Sequence, residues 1–159
     1  MSSRLALYFA TVTGNAESLA QRAEVRARLD GWQPQLRNLS TVKPDDLAAD
    51  RFALFIVSTW GDGEAPPDAA DFWSDLARQT PHLAGLHYAV LGLGDRDYSE
   101  FNAFARDLDE RLSALGAPRV HPRVEADVAF DDTYAEWEAL VFSLLAAQRD
   151  ALAPSPAVT

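Results

Sequence analysis

The sequence predicts a single α/β domain in which a doubly wound, five-stranded parallel sheet lies between two layers of helices, a three-layer sandwich. Five short apolar runs of strand type alternate with segments whose apolar residues recur at helical spacing. Because strand–helix–strand crossovers are right-handed, this alternation builds a parallel sheet. A length of 159 residues, of which 48% are hydrophobic, suits one domain with a substantial core. We assign residues 1–150 to this domain and residues 151–159 to a flexible, proline-containing tail.

The predicted strands are short apolar runs bounded by turn residues. They are residues 5–10, 32–38, 52–57, 87–91 and 119–124. The second run contains Pro34, which cannot donate to a ladder and therefore suits the edge of a sheet. With that strand at the edge, the expected strand order is 2-1-3-4-5.

The predicted helices follow these strands and begin near residues 16, 44, 66, 99 and 131. The first should end near Asp30 and Gly31, since glycine can adopt the left-handed conformation at a helix C-terminus. The fourth is expected to run to Gly116 and to bury Phe101, Phe104, Ala105, Leu108 and Leu112. The fifth, ending near Asp150, is expected to bury Tyr134, Trp137, Val141, Leu144 and Leu145.

Three loops should meet at one edge of this sheet. In the order 2-1-3-4-5 the carboxyl ends of strands one, three and four are neighbours at the point where the strand order reverses. The loops that follow these strands are residues 11–16, 58–64 and 92–102. A ligand site is therefore expected between them.

The first loop offers hydroxyl groups and backbone amides but no basic side chain. Residues 5–21 contain no Lys or Arg, and the loop lacks both Gly-x-Gly-x-x-Gly and the Gly-Lys-Ser/Thr of a nucleoside-triphosphate loop. Thr11 and Thr13 can donate hydrogen bonds, and residues 14–16 open a helix whose free N–H groups favour an anion. A phosphate monoester held by neutral donors fits this pattern; the alternative, that Thr13 or Asn15 merely caps the helix, stays open.

Aromatic residues follow the ends of strands three and four. Trp60 stands between Thr59 and Gly61, and Tyr98 lies in a loop rich in acidic residues. A single aromatic residue is more often part of a core than of a ligand wall. Two of them facing each other beside a phosphate site would form a slot for a flat conjugated ring.

Composition excludes several classes of function. The chain has no cysteine, so disulfides, thiolate catalysis and Cys-ligated metals are absent. A formal net charge of −10 argues against nucleic acid or an anionic membrane as a partner. His82, His87 and His121 stand in no hydrolytic motif and are expected to be structural or exposed, and we expect no metal site. Since no signal peptide or transmembrane run is present, a cytoplasmic location is expected.

Three stretches of the sequence resemble the flavin-binding loops of the flavodoxin family. They are residues 11–17 (TVTGNAE), 58–67 (STWGDGEAPP) and 91–102 (LGLGDRDYSEFN). The resemblance extends over nearly the whole chain and is strongest to short-chain flavodoxins and to the FMN-binding domains of diflavin reductases of the sulfite reductase flavoprotein type.

The resemblance implies a flavodoxin-like fold with FMN as a noncovalent cofactor. Residues 11–16 would bind the ribityl phosphate, and residues 58–61 would flank the ring, with Trp60 stacked on one face and Tyr98 on the other. The Gly61–Asp62 peptide would reorient on reduction, which the conformational freedom of glycine allows. The cofactor-binding residues implied in this way are Thr11, Val12, Thr13, Gly14, Asn15, Ala16, Ser58, Thr59, Trp60, Gly61, Asp62, Leu93, Gly94, Asp95, Tyr98, Phe101 and Asn102.

The favoured function is an FMN-dependent one-electron carrier rather than a stand-alone enzyme, acting between a nicotinamide-dependent reductase and an acceptor protein. The FMN domain of a larger diflavin NADPH reductase is the first alternative. A non-redox phosphate-binding or signalling module of the same fold is the second, although a receiver domain is disfavoured because strand three ends in Ser58 and Thr59 without a phosphoacceptor Asp.

Acidic residues are concentrated around the expected site. Residues 62–110 carry eleven acids against Arg78, Arg96 and Arg106. Such a surface predicts a docking face for basic redox partners, namely an NAD(P)H-dependent flavin reductase and a cytochrome or reductase acceptor. The plainer interpretation is a charged surface that only promotes solubility.

Overall fold

A computed structural model describes residues 3–59, 63–95 and 102–152 of the chain. Its strands are β1 (Arg4–Ala10), β2 (Gln33–Asn38), β3 (Phe52–Ser58), β4 (His87–Leu93) and β5 (Val124–Ala126). Its helices are α1 (Asn15–Leu29), α2 (Pro44–Ala48), α3 (Ala70–Arg78), α4 (Ala103–Ala114) and α5 (Asp131–Leu152), with short 3₁₀ turns at Leu39–Thr41 and Pro67–Ala69.

The strands form one parallel sheet in the order β2-β1-β3-β4-β5, which confirms the predicted topology. β2, which contains Pro34, lies at the edge and pairs only with β1. This is the position in which a residue without an N–H group disturbs the ladder least. The end of α1 also agrees with the prediction, because Gly31 follows the helix with a φ of 84°.

Apolar side chains cover both faces of the sheet. Along β1, Leu5, Leu7 and Phe9 join the core under α1 and α5, while the alternate residues join the core under α2, α3 and α4. All of β3 is buried, as expected for a central parallel strand with helices on both sides. No helix within the described residues is both long enough and apolar enough to span a membrane.

The fifth strand lies later in the chain than predicted. Arg119 makes only an isolated bridge to Tyr88, and the regular strand β5 begins at Val124. Val120 N still donates to Tyr88 O at 2.7 Å, but Pro122 has no N–H group to continue the ladder. The chain therefore leaves the sheet and returns to it two residues after the proline.

Two predictions about helices also need correction. α4 begins at Ala103 rather than near Ser99, because Asn102 has a φ of 57°, which an α-helix does not contain. On α5, Leu144 is 36% exposed and shares a solvent-facing flank with Leu140, which is 54% exposed. The other four residues predicted to be buried on α5 are buried.

Candidate functional site

The strand register brings the three predicted loops to one edge of the sheet. Ala10 of β1 is opposite Val57 of β3, Ser58 is opposite Leu93 of β4, and Leu93 is opposite Ala126 of β5. Four strands therefore end at the same level, and the segments that follow them begin side by side. This agrees with the predicted convergence at the reversal of strand order.

The β1–α1 turn (residues 11–14) leads into a helix that no side chain caps. Gly14 is the N-cap residue with a φ of 92°, and its N–H donates to Thr11 Oγ1 at 2.8 Å. The first N–H to bond inside the helix is that of Ser18, which donates to Gly14 O at 3.0 Å. The N–H groups of residues 15–17 are thus those that a helix leaves for an external acceptor.

This geometry tests the capping alternative for the first loop. Gly14 is the N-cap and no side chain caps the helix, so the alternative that Thr13 or Asn15 merely caps it is wrong, while the phosphate site stays a prediction. Both side chains are exposed, as is that of Val12, whereas Ala16 is buried in the core and can offer a ligand only its backbone. The turn combines a positive helix end with neutral donors, which suits an anion.

Thr59 connects the second loop to the third. Its N–H donates to Leu93 O at 3.2 Å, and its Oγ1 accepts from Phe104 N, also at 3.2 Å, so its hydroxyl occupies the N-terminus of α4. Ser58 beside it is buried. Trp60, Gly61 and Asp62, which were predicted to flank the ring, lie outside the described residues.

The two ends of the third loop lie against each other. Gly94 N donates to Ala126 O at 3.0 Å, and Asn102 Nδ2 donates to the same carbonyl at 3.2 Å. A Cβ atom added to Gly94 would lie 3.1 Å from Asn102. Leu93 is buried and Asp95 is half-buried, while Tyr98 and Phe101 fall outside the described residues.

Asn102 is a buried residue at the end of the third loop. It is 0% exposed, has the only positive φ of any non-glycine residue among those described, and its Oδ1 has no hydrogen-bond partner. Asparagine tolerates the left-handed conformation better than most residues. In this structure Asn102 joins the ends of the third loop, and its role as a cofactor contact stays a prediction.

Asp68 and Asn38 are residues of this region that the sequence reasoning missed. Asp68 Oδ2 accepts from Thr11 N at 3.3 Å and from Asn38 Nδ2 at 2.9 Å, so the pair supports the β1–α1 turn from beside the sheet. In the sequence, Asp68 looks like an ordinary acidic residue in a helix first turn. The only signal for Asn38 is its position at the end of strand two.

The described part of the site contains no basic side chain. Residues 11–17, 58, 59, 93–95 and 102 include no Lys or Arg. The hydroxyl groups of Thr11 and Thr13 and the N–H groups at the start of α1 remain as donors. These groups fit the phosphate end of FMN, and no group of three metal-ligating side chains occurs in the described ranges.

The acidic surface is smaller than predicted. Asp109, one of the eleven acids in residues 62–110, is only 2% exposed and is paired with Arg119 and Arg123. Glu64, Asp71 and Glu110 are exposed. The predicted docking face can therefore include these three residues but not Asp109.

Gly92→Ala is expected to destabilise the protein by about 1–3 kcal/mol, because overpacking a dense region forces its neighbours to move. The added Cβ would lie 2.5 Å from Ala105 Cβ and 2.6 Å from Asn102 Oδ1. Urea denaturation should show the loss as a lower midpoint. Gly85→Ala is the matched control, since nothing lies within 4 Å of its added Cβ. Equal midpoints for the two variants would contradict the packing described here.

Comparisons with known proteins agree on one family. The sequence model of the family described as Flavodoxin matches residues 7–137. The sulfite reductase [NADPH] flavoprotein alpha-component of Vibrio cholerae serotype O1 is 40% identical over 99% of this chain and 25% of its own length. That of Bacillus subtilis strain 168 is 36% identical over 99% of this chain and 26% of its own length. The chain therefore spans about a quarter of these curated relatives.

Solved structures with the same fold are similar in length to this chain. The flavodoxin of Streptococcus pneumonia TIGR4 has a TM-score of 0.80 and 30% identity, covering 91% of this chain and 99% of that one. Oxidised Flavodoxin 2 of Bacillus cereus has a TM-score of 0.79 and 27% identity, covering 89% and 99%.

Proposed function

Because this chain belongs to the flavodoxin family and is a flavodoxin-like FMN-binding domain, we propose that it acts as a one-electron carrier between a nicotinamide-dependent reductase and an acceptor protein. The observation that carries the proposal is the uncapped N-terminus of α1, beside the ends of β3 and β4. FMN, when bound, supplies the one-electron chemistry, and the protein holds and surrounds it.

The chain's own residues divide into two groups in this proposal. Thr11, Thr13 and the N–H groups of residues 15–17 bind the phosphate. Thr59 and Asn102 hold the second and third loops in place through the hydrogen bonds to Phe104 and Ala126. The remaining residues assigned by family resemblance, including Trp60 and Tyr98 as ring contacts, are part of the proposal.

Stepwise reduction of the purified protein tests this function. The protein should take up one FMN and become yellow, and reductant added in small portions should carry it through two separate one-electron steps that the visible spectrum distinguishes. Riboflavin, which lacks the phosphate, is the matched control ligand and should bind more weakly than FMN. A protein that takes up no flavin, or one that is reduced only in a single two-electron step, would contradict the carrier role.

A second function is favoured by the length of the relatives. The curated relatives match this chain over 99% of its residues but are about four times as long. The chain is then the FMN domain of a diflavin NADPH reductase, with residues 1–150 as the domain and residues 154–159 as the start of a linker. The native mass of the protein isolated from its source cells separates the two functions, because a carrier has the mass of this chain alone.

The partners are proposed to be proteins with basic surfaces. A net charge of −10, with Glu64, Asp71 and Glu110 exposed, supports electrostatic attraction of an NAD(P)H-dependent reductase and an acceptor in the cytoplasm. Electron transfer to such a partner should slow as ionic strength rises, since salt screens exposed charges. A rate that is constant or increases with salt would rule out this mode of docking.

A further inference from the structure

Asp68 lies beside the β1–α1 turn, and only one of its two carboxylate oxygens accepts hydrogen bonds from the described residues. It belongs to the 3₁₀ turn Pro67–Ala69 that precedes α3. Its Oδ2 accepts two hydrogen bonds, from Thr11 N and Asn38 Nδ2, whereas its Oδ1 is buried and has no hydrogen-bond partner among the described residues. No basic side chain among the described residues forms an ion pair with it. A buried carboxylate oxygen with no partner is uncommon and calls for an explanation.

The two hydrogen bonds connect three parts of the fold behind the turn. Thr11 follows β1 and, through its Oγ1, holds Gly14 N at the start of α1. Asn38 ends β2, and its Oδ1 accepts from Ser40 N at 2.8 Å. Asp68 therefore joins the ends of β1 and β2 to the segment before α3. Two successive hydrogen bonds, from Thr11 N to Asp68 and from Gly14 N to Thr11 Oγ1, connect it to the start of α1.

The negative charge of Asp68 is not required for this connection. Both of its bonds are accepted by one oxygen, so the carbonyl oxygen of an asparagine could accept the same two bonds, although each would be weaker than to a carboxylate. The negative charge instead cancels part of the positive potential at the N-terminus of α1. That helix end is equivalent to about half a positive elementary charge. Since residues 5–21 contain no Lys or Arg, nothing in this segment compensates for the carboxylate.

We propose that Asp68 is a positioning residue that fixes the β1–α1 turn and whose charge weakens the binding of the cofactor phosphate. The proposal rests on the proposed function, in which this turn binds the phosphate of FMN. The hydrogen bonds and the charge of Asp68 have opposite effects on phosphate affinity. The hydrogen bonds raise it by holding the N–H groups in place, and the carboxylate lowers it by reducing the attraction of those groups for an anion.

The two contributions are separated by binding FMN and riboflavin to the flavin-free protein. Asp68→Asn keeps the acceptor oxygen and removes the charge, so its Kd for FMN should fall by about three- to ten-fold, while its Kd for riboflavin stays within about two-fold of wild type. Asp71→Asn, which removes the same charge from an exposed side chain three residues later, is the matched control and should change neither Kd by more than about two-fold. Quenching of flavin fluorescence measures both ligands.

Asp68→Ala removes the acceptor together with the charge and should bind FMN at least about five-fold more weakly than Asp68→Asn. Thermal unfolding of each variant checks that the fold persists. An unchanged or weaker FMN affinity in Asp68→Asn, or an equal gain for riboflavin, would overturn the role of the charge. Equal FMN affinities of Asp68→Asn and Asp68→Ala would overturn the positioning role. If the wild-type protein binds no flavin, the proposed function itself fails, which is a different result from an unresponsive Asp68.

Discussion

Asp109→Ala is expected to lower the free energy of unfolding by about 3–5 kcal/mol, since it removes a buried carboxylate that accepts hydrogen bonds from three side chains, one of them fully buried. The carboxylate of Asp109 is almost completely buried. It accepts from Tyr88 OH at 2.6 Å, from Arg119 Nε at 2.8 Å and from Arg123 Nη1 at 2.7 Å. Urea denaturation followed by far-ultraviolet circular dichroism should show the loss.

The position of these partners explains why the effect should be large. Tyr88 belongs to β4 and is fully buried, and burial together with its hydrogen bond to Asp109 raises the pKa of its phenol. Arg119 and Arg123 lie in the segment between α4 and β5, where the sheet pairing is interrupted. The Asp109 side chain therefore connects a helix, a central strand and this irregular segment. Its loss frees both arginines from this carboxylate and leaves the Tyr88 hydroxyl only the backbone carbonyl of residue 109, at 3.0 Å.

Asp107→Ala is the matched control on the same helix. Asp107 pairs with Arg106 at 3.5 Å and its side chain is 44% exposed, so its removal should change stability by no more than about 0.5 kcal/mol. Asp109→Asn, which keeps the shape but not the charge, should fall between the two. Similar losses for Asp107→Ala and Asp109→Ala would mean that the buried network does not stabilise the fold.

The sheet was predictable because its signals are local. Each apolar run forms a strand largely by burying its side chains, and Pro34 alone was enough to place β2 at the edge. The fifth strand was placed too early because apolar residues cannot show where a proline interrupts the pairing. Leu144 has the right residue type for a core position, but its exposure depends on which flank of α5 the neighbouring elements cover.

The Asp109 network depends on contacts that no local pattern contains. A weak signal exists: Ala105, Asp109 and Leu112 lie at i, i+4 and i+7, which places the aspartate on the buried face of α4. Its partners Tyr88, Arg119 and Arg123 come from other elements, and their approach follows from the tertiary fold. For that reason the sequence assigned Asp109 to an exposed acidic surface.

The site shows the same division between local and tertiary signals. The turn after β1 was predictable as a helix start because Thr, Gly and Asn are common at helix N-termini, but these residue types alone could not tell a cap from an anion site. The hydrogen bonds from Phe104 N to Thr59 and from Asn102 Nδ2 to Ala126 O join residues 45 and 24 positions apart in the chain. Asp68 belongs to this second kind, since its role depends on the neighbouring ends of β1 and β2.

Gly14→Val is expected to weaken FMN binding by about 100-fold. At a φ of 92° a β-branched residue is strongly disfavoured, so the turn must change its conformation and move the N–H groups of residues 15–17. Hydrogen bonds to a charged group contribute about 1.5–3 kcal/mol each, so misplacing one or two accounts for this loss. Titration of the flavin-free variant with FMN measures it, and riboflavin affinity should change much less because riboflavin lacks the phosphate.

Gly31→Val controls for backbone strain, because the two glycines flank the same helix in nearly the same conformation. Gly31 has a φ of 84°, and a Cβ added at either position has no atom within 4 Å, so both substitutions should cost about 1–3 kcal/mol of stability through strain alone. Only Gly14 lies at the end of α1 that faces the ends of β1, β3 and β4. If FMN affinity falls equally in both variants, the loss reflects general destabilisation and the β1–α1 turn is not the phosphate site. If it falls only in Gly14→Val, the anion is held by the start of α1.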